Sequence, residues 1–88
     1  MSRTAQIDVG EVTPGHYEVT VDNFTKAKTH DVTLSEDIFL RLGKGRSRED
    51  FIRDCFRFLL AREPMEQILE KFDISDISRH FPDFESAL

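Results

Sequence analysis

A chain of 88 residues, 39% hydrophobic and 33% charged, has the balance of a single globular domain near the small end of what folds without staples. A net charge of -5 disfavours non-specific nucleic-acid binding, and the lone Cys55 rules out an intrachain disulfide. No apolar run approaches the roughly 18 residues that span a bilayer, and "MSRTAQIDVG" carries no apolar signal core, so a cytoplasmic, reducing setting is expected.

The first third reads as strands. Ile7 and Val9 alternate in "AQIDVGEV", and Pro14-Gly15 marks a turn. In "HYEVTVD", Tyr17, Val19 and Val21 share one face while Glu18, Thr20 and Asp22 share the other, the period of a half-buried strand. A polar loop, "DNFTKAK", leads to "THDVTLS", where His30, Val32 and Leu34 oppose Thr29, Asp31 and Thr33. A three-stranded meander is the simplest assembly, unless the third strand pairs elsewhere.

Helices follow. Ser35 suits an N-cap, Glu36 and Asp37 suit a first turn, and Gly43 suits the end of a short helix. "SRED" then fits a capping box, with Ser47 as the cap and Asp50 three residues on. On the helix predicted from about Arg48 to Arg62, seven apolar residues from Phe51 to Leu60 cover an arc of roughly 200°, where a surface helix needs about 100°. Such a helix is central, surrounded by its own chain or gripped by a second one. Pro64 breaks the pattern, since its ring clashes with the carbonyl of Leu60. Met65, Ile68, Leu69 and Phe72, at helical spacing, predict a second helix beyond it. "FDISDISRHFP" predicts a last short helix capped by Asp73 or Ser75, with Ile74, Ile77 and Phe81 inward and Pro82 ending it; Phe84 pins the tail "DFESAL".

The expected architecture is α+β: two or three antiparallel strands within residues 1–34, three to four short helices within 35–82, and a tail over 83–88, folded as an intertwined dimer. Charge segregates along it. Residues 1–25 are net -3; residues 26–62, with nine basic against six acidic side chains, are net +3; residues 63–88, with two against seven, are net -5.

Candidate chemistry is sparse. His16, His30, His80 and Cys55 lack the paired spacing of a zinc site, and Cys55 lies inside the apolar arc, where a thiol is a packing group. No hydrolytic or transfer motif frames the carboxylates, so neither catalysis nor a cofactor is expected. "GKGRSRED" gathers two glycines, three basic residues and a helix start, which suits either a phosphate or a solvated turn. "ILEKFDISDISRHF" echoes a helix-turn-helix, but it is too short and too acidic for one.

"THDVTLSEDIFLRLGKGRSREDFIRDCFRFLLAR", residues 29–62, resembles the ribbon-helix-helix family of DNA-binding proteins, with "DVTL" as ribbon, "SEDIFLRL" as first helix, "GKGRS" as turn and "REDFIRDCFRFLL" as second helix. The resemblance implies an interlocked dimer whose paired ribbons enter the major groove. Thr29, Asp31 and Thr33 would then face bases, while Arg46, Ser47 and Arg48 would clamp phosphate. Over nearly its whole length the chain also resembles a group of small bacterial proteins of unassigned activity, through its "THDVTL" strand, "FLLAREP", and a terminal "IL-x-x-FD-I" leading into "FPDF".

Two functions are expected. The first is a non-catalytic homodimer whose acidic C-terminal third binds a basic protein partner through Glu66 and Glu70. The alternative is a ribbon-helix-helix-like DNA-binding transcriptional regulator or antitoxin.

Overall fold

A computed structural model describes residues 5–88. The fold is α+β, with a four-stranded sheet in the order β1-β2-β3-β4 and four short helices. Strands β1 (Gln6–Thr13), β2 (His16–Asp22) and β3 (Ala27–Thr33) form the antiparallel meander. Pro14 and Gly15 turn the first hairpin, with Gly15 at φ +83, where a side chain would be strained. Asn23 builds the second turn by accepting the backbone N–H groups of Thr25 and Lys26 on its side-chain oxygen.

Alternation assigns the two faces of the sheet. Ile7, Tyr17, Val19, Val21, His30 and Val32 are buried, while Asp8, Glu18, Thr29 and Thr33 look to solvent. Two helices follow, α1 (Glu36–Leu42) and α2 (Arg48–Leu60), both capped as their sequences imply: Ser35 Oγ accepts from the Ile38 N–H and Ser47 Oγ from the Asp50 N–H. Between them Gly43 stays right-handed, and a Cβ there would come within 2.6 Å of the Phe39 carbonyl oxygen. The chain turns at Lys44 and Gly45, both at positive φ.

Helix α2 is the hub of the core. Phe51, Ile52, Cys55, Phe56 and Leu59 are all buried. Phe56 lies 5.4 Å from the His30 ring, and Phe58 meets Phe81 and Phe84 edge-on at 5.8 and 5.1 Å. Elements of the same chain thus pack against the wide arc, the first of the two arrangements that its breadth allowed. Arg53 adds a tie to the sheet, its Nε donating to the Ile7 carbonyl of β1 at 3.1 Å.

Beyond Pro64 the structure departs from the predicted helix. Met65–Gln67 make a single 3-10 turn, and Lys71–Asp73 form strand β4, parallel to β3 in the register Asp31↔Lys71, Val32↔Phe72, Thr33↔Asp73. The spacing of Met65, Ile68, Leu69 and Phe72 fits a helical stripe, but the backbone beside them is drawn into bonds with β3, which outweigh a weak local preference. Asp31 N–H donates to the Glu70 carbonyl at 2.6 Å, His30 Nδ1–H to the Leu69 carbonyl at 2.7 Å, and Lys28 Nζ to the Ile68 carbonyl at 3.2 Å. Leu69 is consequently 58% exposed.

Helix α3 (Ser75–His80) follows at once, with Ile77 buried. Asp73 serves its start by accepting from the Ser75 N–H and hydroxyl, while its other oxygen accepts from Thr33 Oγ1. Burial raises the pKa of this carboxyl, but the Ser75 and Thr33 hydrogen bonds together outweigh it and hold the group below its ordinary value. The expected tail contains a fourth helix, α4 (Phe84–Ala87), with Phe84 fully buried.

Two predictions test this packing. Phe84→Ala lowers unfolding free energy by about 3–5 kcal/mol, as for a central core aromatic, whereas Leu40→Ala, at a 72% exposed site, changes it by no more than about 0.5 kcal/mol. Urea titrations of the two variants check both values. Burial also holds the His30 imidazole below its usual pKa of 6.5, opposed by its bond to the Leu69 carbonyl. The unfolded chain therefore takes up the proton more readily. His30's contribution is intact above about pH 6.5 and falls as pH drops toward the folded-state value. Denaturation midpoints between neutral and mildly acidic pH decline in the wild type, and His30→Gln flattens that part of the slope.

Candidate functional site

The residues picked out by the nucleic-acid alternative fall into two groups. Thr29, Asp31 and Thr33 alternate along the solvent face of β3, and each has a partner within the chain. The hydroxyls of Thr20 and Thr29 lie 3.3 Å apart, His16 Nε2 lies 3.8 Å from Asp31, and Thr33 binds Asp73. Strand β3 has β2 along one edge and, over Asp31–Thr33, β4 along the other, so the expected ribbon stretch is paired on both edges inside one chain. Around these three residues the face is acidic. Asp31 stands between Glu18 on one side and Lys71 on the other, with Asp8, Asp22 and Asp73 on the neighbouring strands.

Arg46, Ser47 and Arg48 lie at the α1–α2 turn, in the helical layer behind the other face of the sheet. Arg46 Nε pairs with Asp54 at 3.0 Å, Ser47 is occupied as the cap, and the Arg48 guanidinium sits 4.5 Å above the Phe39 ring. Each performs a structural task. One loose end is Arg46 Nη1, which is buried without a hydrogen-bond partner.

The titratable groups of the core are equally committed. Burial pushes the Cys55 thiol well above its ordinary pKa, and the charge of neighbouring Asp54 pushes the same way, which removes the thiolate a nucleophile requires. His30 spends Nδ1 on the Leu69 carbonyl, leaving the buried Nε2 without a partner. Among the described residues, no group of three or more His, Cys, Asp or Glu side chains could hold a metal ion, and no helix is long and apolar enough to cross a membrane.

The residues assigned to a protein partner, Glu66 and Glu70, lie on the 3-10 turn and just before β4. Both are exposed. Glu66 makes a loose pair with Lys26 at 3.7 Å, a contact worth little at such exposure. The Glu70 carbonyl is engaged by β3, while its carboxylate has no ion-pair partner among the described residues.

Beside them opens a groove of about 330 Å³ between the end of α2, the 3-10 turn, β4 and α3. Its floor is Leu59, Ile68 and Ile77, all buried, and Phe72 and Phe81 form half-buried walls. Leu69 stands at the lip, with Glu63, Gln67, Asp76 and His80 around it. Asp76 is tied to the Asp73 N–H and lies 3.5 Å from the exposed Arg79, whereas Glu63 has no ion-pair partner among the described residues.

Sequence reasoning found the acidic surface and missed this groove. A helix through Met65–Phe72 would turn Leu69 inward and leave no opening there. The available signal was Pro64 followed by so short an apolar run, since a run of that length reads as a turn and strand as readily as a helix.

Ser47→Ala separates the structural role of that residue from any anion-binding one. Losing the cap lowers stability by about 1 kcal/mol without added anion, and phosphate does not change the difference between variant and wild type, as melting curves with and without phosphate will read. Comparison with protein families, with curated proteins and with solved structures finds no match for this chain, and its site is read from geometry alone.

Proposed function

We propose that the chain is a non-catalytic interaction protein that binds a basic protein partner through its acidic C-terminal third. The supporting observation is the segment from Glu63 to Glu70, where carboxylates at Glu63 and Glu70 lack ion-pair partners among the described residues and flank the exposed Leu69. Charge of one sign steers an oppositely charged partner and sets its register, while an exposed apolar side chain supplies the contact that resists dissociation. The core takes Met65 and Ile68 from this segment and leaves Glu66, Leu69 and Glu70 exposed, because β3 holds the chain there through backbone groups.

Self-association is not needed, since the apolar arc of α2 is covered within one chain. The DNA-binding alternative gains no comparable support. Its ribbon strand has neighbours on both edges, two of its phosphate residues are engaged with Asp54 and Phe39, and its base-reading face is acidic.

Affinity capture with the immobilised chain, run beside the Glu66→Lys/Glu70→Lys double variant, tests the proposal. The wild type retains a basic protein that the variant loses. Reconstituted from purified components, the complex weakens about tenfold or more on charge reversal and weakens further with added salt. Equal retention by both chains, or no retained protein, overturns it.

A further inference from the structure

The proposed function concerns a surface; the groove beside it specifies what the partner carries there. We infer that the groove between α2, the 3-10 turn and α3 receives a large apolar side chain from a short partner segment, with lysine or arginine flanking that side chain. This inference rests on the preceding proposal and deepens it.

Three observations carry it. The first is shape and lining: about 330 Å³ of space has Leu59, Ile68 and Ile77 beneath it and Phe72 and Phe81 at its sides. That size lies at the low end of ligand pockets, matching one or two side chains rather than an extended ligand. The second is the lip. Leu69 is 58% exposed although its own carbonyl is fixed to the buried His30, so its side chain is held outside by a bond that does not depend on a partner. A backbone anchored in this way keeps the Leu69 side chain at the lip, so binding need not order the chain that carries it.

The third is charge. Glu63 and Asp76 lie on the rim and Glu66 and Glu70 just beyond it. No Arg or Lys lines the groove among the described residues; Asp76 is offset by Arg79 at 3.5 Å and Glu66 by Lys26 at 3.7 Å, so Glu63 and Glu70 carry the uncompensated charge. An apolar group bearing a carboxylate or phosphate is repelled here. One flanked by ammonium or guanidinium groups meets opposite charge on both sides of the groove.

The probe is a short synthetic peptide with a Leu-Phe pair flanked by lysines, followed by fluorescence anisotropy and by amide chemical shifts of the isotopically labelled protein. Two control peptides replace the Leu-Phe pair by serines or the lysines by glutamates. Only the parent peptide binds saturably, and the perturbed amides cluster at Leu69, Phe72, Ile77 and His80. Leu69→Lys, at an exposed position, weakens binding about tenfold or more, and Glu63→Gln weakens it about threefold. Glu18→Lys, on the opposite face of the sheet, leaves it unchanged.

The inference is overturned if the serine peptide binds as well as the parent, if the shifts fall on the sheet face around Glu18, or if no peptide binds. Concentration-dependent self-association abolished by Leu69→Lys would assign the groove to a second copy of the chain, and also overturns it. The two proposals separate in one comparison. A captured partner lost by Glu66→Lys/Glu70→Lys but kept by Leu69→Lys preserves the acidic surface and removes the groove. A partner kept by the double variant removes the function from which the groove inference starts.

Discussion

The bonds from β3 to the segment after Pro64 are the constraint on which the rest of this structure depends. Lys28, His30, Asp31 and Thr33 each reach across to that segment, and they use backbone carbonyls or a capping carboxylate as acceptors. The contact therefore places the chain without consuming the side chains of Glu66, Leu69 and Glu70. It also sets where β4 begins, and through Asp73 it sets where α3 begins. Breaking the His30 bond would leave Nδ1 of a fully buried ring without a partner, on top of the unpartnered Nε2 the core already tolerates. A buried histidine is thus a positional device here, joining a strand to a loop through one ring nitrogen.

The same seam divides the labour between two surfaces. One face of the sheet is closed by α2, whose apolar side chains reach strands, α1 and the C-terminal helices alike. The other carries Asp8, Glu18 and Asp31, with Lys71 of β4 in register beside Asp31 to offset the like-charge pair of Glu18 and Asp31. Core and groove meet at Leu59, Ile68 and Ile77, so the floor of the proposed docking site belongs to the core itself. Support of that kind keeps the floor of the site in place, since it cannot move without loosening the domain, whereas the Phe72 wall rides on the short strand β4.

Much of this fold was legible in the sequence. Strict alternation in "HYEVTVD" and "THDVTLS" gave both strands and their buried faces, because period 2 has no helical counterpart. Ser35 and Ser47 gave both helix starts, because a hydroxyl before a run of acidic and apolar residues has few other uses. The breadth of the arc on α2 correctly gave a central helix, but it could not say whether one chain or two would cover it. The segment 65–73 was misread because spacing of 0, 3, 4, 7 over so few residues is matched equally by a 3-10 turn leading into a strand. What decided it was pairing with residues some forty positions earlier, which no local pattern encodes. The candidate site was legible only as charge; its groove arises from that same distant pairing.

The long return from β3 to β4 also orders events in time. The meander of β1, β2 and β3 is joined by tight turns and can form early from neighbouring residues. The His30–Leu69 bond closes a separation of 39 residues, a far longer loop than either hairpin of the meander, so its closure costs more chain entropy. A three-residue edge strand held by so late a contact is the natural first piece to open in the native state. Amide exchange should then be fastest around Lys71–Asp73 while Val19 and Val32 stay protected, so the part of the chain nearest the groove would be both last to form and first to breathe.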